Sequence, residues 1–337
     1  MRSLRLIARR VLLMIPVLLG VTIVAFVMTR VLPGSPIDAL AGPMATPEQR
    51  LALMQHYGLD RPLWEQYVRY IVGVAQGDFG VSFTTSHPVA ADLQSFFPAT
   101  LELTTCSIVL AVLVGIPLGI AGAVRQGTLV DHASRVIAVA GVAMPAFWLA
   151  LVLIYVFFSR LHLLPAPIGR LDPLLTPPHQ VTGLLLVDSL LAGDWTAFRS
   201  AAMQLVLPVS VLAFGAVAPL ARMARSSMLE VLDSAYVRAA RAMGIPWRSI
   251  VWKYALKNAI LPVLTMLSIV YGYLLGGSVL VENIFAWPGL GRYAYNAISG
   301  NDYPAVQGFI LYATFIYLVI FLVVDILYAI VDPRIEE

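Results

Sequence analysis

Six long apolar segments constrain the fold of this chain more than any other feature. Each is close to 18 residues long or longer, and a helix of about 20 residues spans the hydrocarbon core of a bilayer. A helix also satisfies its backbone hydrogen bonds within one segment, as the interior of a membrane requires. The sequence therefore predicts an all-α membrane protein with six transmembrane helices, over residues 11–28, 103–124, 136–158, 205–221, 259–281 and 306–331.

The composition supports this prediction and argues against several functions. Hydrophobic residues make up 59% of the chain and charged residues 12%, against about 45 to 50% and about 25% in soluble domains. No GxxxxGK[ST] loop for nucleotide phosphates is present. The histidines lack the spacing of a metal site, and the single cysteine, Cys106, excludes an internal disulfide. We therefore predict no catalytic residue, cofactor or metal on this chain, and no nucleic-acid partner.

Basic residues in the connections predict the orientation of the chain. They precede the first span, flank the second connection and fill the fourth, so the positive-inside rule places both termini in the cytoplasm. The residues are Arg2, Arg5, Arg9 and Arg10; Arg125 and Arg135; and Arg222, Arg225, Arg238, Arg241, Arg248, Lys253 and Lys257. We divide the chain into an N-terminal tail with the first span (1–32), an extracytoplasmic segment (33–99), a transmembrane core (100–331) and a cytoplasmic tail (332–337).

The segment 33–99 is too polar to cross a membrane but has helix signals. Thr46 and Gln49 fit a capping box, Gly58 is a helix stop, and Pro62 suits the start of a second helix. We interpret it as an extracytoplasmic helical segment. Its role is either a platform for an extracytoplasmic partner or a cap that stabilises the bundle.

Residues 222–258 form the longest polar and cationic interruption between the spans. Ser227 and Glu230 fit a capping box, and Ser234 can cap a short helix that stops at Gly244. This short helix is rich in small residues, so a partner surface could approach its backbone closely, and its arginines suit acidic or carbonyl groups. The alternative is an ordinary cytoplasmic loop whose alanines reflect helix propensity and whose arginines set the orientation.

Three stretches carry a resemblance to a known family. The run from Tyr236 to Gly244, followed by Ile260-Leu261-Pro262, resembles the EAA loop of permease subunits of binding-protein-dependent ABC importers. The runs 77–82 and 282–292 resemble the peptide branch of that family. Arg238 stands where the name of the loop expects glutamate, although arginine is common there in the peptide branch.

The resemblance implies a function and a set of partners. It implies a permease in the bacterial inner membrane for dipeptides or short peptides, or alternatively for nickel chelates, glutathione or haem. The implied partners are a second homologous permease, two ATPase subunits that hold ATP and Mg, and an extracytoplasmic substrate-binding protein, with lipid around the spans. The implied ATPase-coupling residues are Tyr236, Arg238, Ala239, Ala240, Arg241, Gly244, Ile260 and Pro262.

Residues at the outer ends of the spans are candidates for the translocation path. Glu102 and Glu282, at the ends of spans two and five, are predicted to face a cavity and meet the amino group of a peptide. The run after Glu282 predicts tight turns and interfacial aromatic residues at an outer gate, or alternatively a well-anchored loop. The further candidates in this run are Phe285, Pro288, Gly289 and Gly291, with Trp287 beside them.

Two other classes of protein are less compatible with the sequence. A secondary transporter needs coupling charges or broken helices near the midplane, usually with internal repeats. An intramembrane enzyme needs clustered nucleophiles, bases or metal ligands at membrane depth. Asp325, in the last span, is an acid of the kind that marks sites. We interpret it as part of a structural salt bridge, for which Arg334 is a candidate partner, or as an acid that faces water near the helix end.

Overall fold

A computed structural model describes residues 2–31, 37, 41 and 44–331 of the chain, and the regular elements of this part are helical. Arg334 and the predicted tail 332–337 lie outside the described residues, as do parts of 33–43. The helices are α1 (Arg2–Val31), α2 (Pro47–His56), α3 (Leu63–Ala75), α4 (Val89–Val124), α5 (Leu129–Ala143), α6 (Ala146–Leu153), α7 (Leu185–Leu191), α8 (Trp195–Leu232), α9 (Ala235–Ala242), α10 (Trp247–Ser249), α11 (Leu256–Ile284), α12 (Leu290–Ser299) and α13 (Tyr303–Val331). Two π-helical turns, Ile154–Arg160 and Ile250–Ala255, continue α6 and join α10 to α11.

The long helices agree with the predicted spans in kind, and five or six of them are long and apolar enough to span a membrane. Five are long and apolar enough to cross a membrane, namely those over Arg10–Arg30, Val89–Val124, Trp195–Leu232, Trp247–Gly276 and Tyr303–Ile326. The bent pair Leu129–Ala143 and Ala146–Arg160 supplies a sixth if it is one broken span. The helices extend beyond the predicted spans: α4 begins at Val89, because Pro98 does not interrupt it, and α8 runs on to Leu232.

Six prolines lie within the predicted spans, and only Pro145 breaks a helix. α5 and α6 meet at 103° there, and Met144 has extended backbone, with φ −84° and ψ 120°. Proline disfavours helical backbone at the residue before it and lacks the N–H of the helical ladder. Pro16, Pro117, Pro208, Pro219 and Pro262 lie inside helices that continue through them.

The chain divides into two compact units, of which residues 99–287 with 320–337 form one. Its centre is α8, which packs against α5, α6, α7 and α11. α8 buries small and branched side chains along most of its length, including Ala218 and Leu220, which have no exposed surface. Small residues allow close approach of helices in membranes, where dispersion and not water exclusion drives association.

α4 lies close to α8 at Gly119, and this contact supports a prediction about stability. A Cβ built at Gly119 would lie 2.4 Å from the carbonyl oxygen of Ala221 and 2.8 Å from Cβ of Ala224. Gly119→Ala should therefore destabilise the protein by about 1–3 kcal/mol through overpacking, measured as thermal unfolding in detergent. The control is Gly276→Ala in α11, where a Cβ meets nothing within 4 Å. Equal stability of the two variants would contradict the packing described.

The other unit comprises residues 1–98 and 288–319. Here α1 packs against α3, with the Phe26 and Tyr67 rings 5.3 Å apart, and Gln307 donates a hydrogen bond of 2.9 Å to Thr29. The capping box predicted for α2 is confirmed, because the amide of Gln49 and the hydroxyl of Thr46 are 3.3 Å apart and the reciprocal bond is 3.0 Å.

Candidate functional site

The predicted coupling loop, residues 222–258, is more helical than its sequence indicates. α8 continues to Leu232, so Ser227 is a buried mid-helix residue and the capping box predicted for Ser227 and Glu230 is wrong. An amphipathic packing surface outweighs the local capping signal, since Ser227 lies on the buried side of α8. The basic residues Arg222 and Arg225 therefore belong to the last three turns of α8.

The short helix α9 follows after a tight break and ends where the sequence predicts. Ser234 occupies the N-cap position, but its hydroxyl donates to the carbonyl of Val231 at 2.6 Å and makes no cap bond within α9. Gly244, just beyond the helix, has φ +76°, a conformation that glycine adopts without steric cost. The predicted glycine stop is confirmed.

α9 has one buried and one exposed face. Val237 and Ala240 are buried and form a small cluster with Ile250 of the π-helical turn. Ala240 is therefore part of the internal packing of the loop and is not available on its outer surface. The residues exposed on and beside α9 are Ala235, Tyr236, Arg238, Ala239, Arg241, Ala242, Met243 and Gly244.

Three contacts attach α9 to the helix that follows it. The Arg241 guanidinium lies 3.9 Å from the ring centroid of Trp247, a cation–π geometry. Asn258 donates a hydrogen bond of 2.8 Å to the hydroxyl of Tyr236, and Ile250 packs in the buried cluster. α9 is thus fixed to the first turns of the Trp247–Ile284 helical run. Arg238, the other arginine of α9, is exposed and makes none of these three contacts.

Ile260 and Pro262 lie inside α11 rather than at its start. Ile260 packs against the main hydrophobic cluster of the core, and Pro262 is exposed on the helix surface. The residues from Trp247 to Ile284 form an almost continuous helical element, including one π-helical turn. α9 and α11 are therefore connected through packed contacts and the Tyr236–Asn258 hydrogen bond.

Glu102 is enclosed by protein and does not face an open cavity in this structure. Its carboxylate accepts a hydrogen bond of 2.7 Å from the Arg170 guanidinium and another of 2.7 Å from the amide of Leu186. Arg170 also donates to the carbonyl of Gly183 at 3.0 Å. The side chains of Arg170 and Glu102 are 16% and 4% exposed. This ion pair joins α4 to the connection before α7.

Glu282 is also wholly buried and does not face a cavity. It accepts hydrogen bonds from Thr100 of α4, at 2.8 Å, and from Ser278, at 3.0 Å.

Phe285 and Trp287, predicted to lie at the membrane interface, are buried in the core. The Trp287 indole donates to the carbonyl of Ala99 at 2.9 Å. Burial of the aromatic rings outweighs their interfacial preference here, because the indole N–H finds a partner inside the protein.

Pro288, Gly289 and Gly291 belong to the start of α12, in the other unit. Gly289 is its extended N-cap residue, with φ −111°, and Gly291 is helical. The tight turns predicted at these glycines are wrong, because the positive φ in this run falls on Ala286, at 50°. Pro288 lines a cavity of about 230 Å³ with Ser82, Tyr293 and Asp302. Burial, together with the carboxylates of Asp92 and Asp302, raises the pKa of Tyr293.

Two buried ion pairs were not predicted from the sequence. Asp131 of α5 accepts two bonds from Arg225 of α8, at 2.7 and 3.0 Å, and Arg170 pairs with Glu102 from 68 positions away. Such pairs leave no local pattern. The sequence signals only the Ser278–Glu282 contact, because a separation of four residues places two side chains on one helix face.

The short helix α7 is fixed by Asp188. Its carboxylate accepts bonds from the amide and hydroxyl of Thr182, at 2.8 and 2.7 Å, and from the amide of Gly183 at 2.9 Å. Burial acts to raise the pKa of Asp188, but these hydrogen bonds together outweigh burial and lower it.

Over the described part of the chain, no group of three or more His, Cys, Asp or Glu residues could hold a metal ion.

Comparison with known proteins gives consistent matches. Residues 115–337 match the model of "Binding-protein-dependent transport system inner membrane component", and residues 3–104 match the corresponding N-terminal model. The probable D,D-dipeptide transport system permease protein DdpB of Escherichia coli K12 is 45% identical over 95% of this chain and 94% of its own length. The di/tripeptide permease DppB of Pseudomonas aeruginosa is 43% identical, over 98% of each chain.

A solved structure shares the fold. A chain of the MetNI methionine ABC transporter aligns with a TM-score of 0.51 at 20% identity, covering 69% of this chain and 93% of that one. The likeness agrees with a helical transmembrane core.

Proposed function

The chain belongs to the family of binding-protein-dependent transport system inner membrane components, and from this we propose that it is the permease subunit of an ATP-driven importer of dipeptides or short peptides. It is a multi-pass membrane transport subunit and not an enzyme. The observation that carries the proposed substrate is similarity along nearly the whole chain to permeases named for dipeptides and for di/tripeptides. Glutathione, nickel chelates and haem are the alternative substrates.

The proposed topology has both termini and residues 222–258 in the cytoplasm, with segment 33–99 outside. It rests on the concentration of arginine and lysine in the N-terminal region and in residues 222–258. The proposed assembly contains a second homologous permease, two ATPase subunits that bind ATP and Mg, and a substrate-binding protein outside the membrane. This chain provides half of the path for the substrate.

We propose that α9 is the element that receives mechanical work from the ATPase. Its exposed face, with Tyr236, Arg238 and Ala239, would dock on an ATPase subunit, and its buried face is fixed to the π-helical turn by Val237, Ala240 and Ile250. Closure of the ATPases would displace α9, and α11 would follow because the two are packed together. A coupled change of this kind requires contacts that differ between the two states.

The buried carboxylates at the predicted outer ends of the spans suit a closing role. Glu282 links α11 to Thr100 of α4, and Glu102 links α4 to Arg170. We propose that these bonds hold the outer ends together when the path is open to the cytoplasm, and that they rearrange when it opens outward. We propose this closing role alongside the prediction that the two carboxylates meet the substrate directly, which stays a prediction.

Reconstitution tests the proposed function. The chain is purified with its cognate second permease, ATPases and binding protein and placed in liposomes containing ATP. We expect accumulation of a labelled dipeptide that stops when ATP is omitted, with parallel assays of glutathione, a nickel chelate and haem. Uptake that persists without ATPase subunits, or preference for one of the other three substrates, would contradict the proposal.

A further inference from the structure

A cavity of about 440 Å³ lies within the unit that contains α8. Its walls come from the α5–α6 break, from α8 and from α11, with Met144, Pro145 and Gly215 among them and Met266 and Tyr273 opposite. A Cβ built at Gly215 meets nothing within 4 Å, so this glycine leaves open space. Three helices of the proposed transport path, one of them broken, therefore share one space of the size of a small ligand.

Arg222 is the one charged residue among the described residues that line this cavity. The lining is otherwise apolar, apart from the Tyr273 hydroxyl. Arg222 is exposed, and no hydrogen bond or ion pair links its guanidinium to any residue that the structure describes. One turn further along α8, Arg225 has the opposite arrangement, because Asp131 neutralises it with two hydrogen bonds.

Arg222 lines a cavity and has no acidic partner among the residues that the structure describes, whereas Arg225 is paired with Asp131. Setting the orientation of the chain in the membrane does not account for this difference. An arginine that only sets topology needs no cavity, and an arginine that supports the fold has an acidic partner. A guanidinium binds a carboxylate through two parallel hydrogen bonds. A short peptide has one carboxylate that does not depend on its sequence, at its C-terminus, while apolar walls accept varied side chains.

We propose that Arg222 binds the C-terminal carboxylate of the peptide as it passes through this cavity, and is thus a specificity-determining residue. The proposal rests on the proposed function, since it takes the peptide as substrate. The position of Arg222 near the cytoplasmic part of α8 places this contact late in transport, before release. A weak, exposed contact suits a path, because a substrate that binds too tightly leaves slowly.

The test is a charge series in reconstituted liposomes at saturating, peptide-loaded binding protein. Arg222→Gln should lower dipeptide uptake by about tenfold, the loss of one charge-assisted hydrogen-bonded contact. Arg222→Lys keeps the charge but not the paired hydrogen bonds, so its uptake should lie between those of wild type and Arg222→Gln. ATPase activity stimulated by the loaded binding protein should stay within about twofold of wild type, so fewer peptides are moved per ATP. The matched control is Arg125→Gln, an exposed arginine between α4 and α5 that does not line the cavity.

A chemical rescue separates charge from shape. Arg222→Cys in a Cys106→Ser background should regain uptake after labelling with a cationic aminoethyl thiosulfonate, and should not after labelling with a neutral reagent of similar size. Gly215→Leu places a side chain in the cavity from a position where a Cβ meets nothing within 4 Å, and it should also reduce uptake. Unchanged uptake in Arg222→Gln, equal rescue by both reagents, or a parallel fall in stimulated ATPase activity would overturn the inference. Absence of dipeptide uptake by wild type would instead count against the proposed function.

The same series tests whether Arg222 binds a lipid phosphate instead of the peptide carboxylate. Uptake is compared in liposomes with and without anionic lipid. A deficit of Arg222→Gln that is the same in both supports the substrate carboxylate. A deficit that disappears in neutral lipid assigns the guanidinium to a headgroup and overturns the inference.

Discussion

We expect Ala239→Trp to lower ATP-driven uptake by at least about tenfold, while the protein still folds and inserts. Ala239 is exposed on α9, opposite the buried cluster of Val237, Ala240 and Ile250, so the larger side chain meets no packed neighbour within the loop. On the proposed docking face it would hold an ATPase subunit away, and losing a hot-spot contact at the centre of an interface costs about 2 kcal/mol or more. Uptake and ATPase stimulation in liposomes measure the effect.

The control for this substitution is Gln126→Trp, which places the same indole on an exposed residue between α4 and α5. It should leave uptake unchanged. Purification of the Ala239→Trp complex should show less bound ATPase than wild type. Normal uptake with normal ATPase stimulation would mean that α9 is an ordinary loop helix, as the alternative interpretation of its alanines holds.

We expect Arg170→Met to destabilise the protein by about 3–5 kcal/mol, because removing one partner leaves the buried Glu102 carboxylate uncompensated. The pair is enclosed, with 16% and 4% of the two side chains exposed, so solvent screens it little. Arg170 also holds the carbonyl of Gly183, and this bond is lost as well. Thermal unfolding in detergent measures the loss.

A second substitution distinguishes buried charge from lost packing. Arg170→Met combined with Glu102→Gln should be more stable than Arg170→Met alone, because the remaining group is neutral. Arg199→Met, which removes an exposed arginine from α8, is the matched control and should change stability by less than about 0.5 kcal/mol. If the double variant is as unstable as the single one, the ion pair does not account for the loss.

The helical architecture was predictable because the membrane imposes one requirement on every span. Apolar length alone identified the five long helices, and Gly244 and Thr46 marked local helix ends through rules that depend on a few neighbouring residues. Proline positions were less informative. Pro145 and Pro208 look alike in sequence, yet only Pro145 breaks a helix.

The surroundings of the candidate residues were not predictable from local pattern. Ala240 and Ala239 are adjacent and identical, and the packing of Ile250 against one face decides which of them is exposed. We predicted that Glu102 and Glu282 meet the substrate. Their partners Arg170 and Thr100 are distant in sequence, so no local pattern indicates them. An acid at the end of a span indicates that a partner exists, but its identity depends on the tertiary structure.

Cross-linking from α9 tests the central claim most directly. Ala239→Cys is introduced with Cys106→Ser, so that the new thiol is the only one in the chain, and inverted membrane vesicles containing the whole complex are treated with a short bifunctional reagent. The account predicts a cross-link between this chain and an ATPase subunit, and no labelling of the thiol by an impermeant reagent added outside intact cells. Labelling from outside, or a reactive thiol that cross-links to no ATPase subunit, would contradict it.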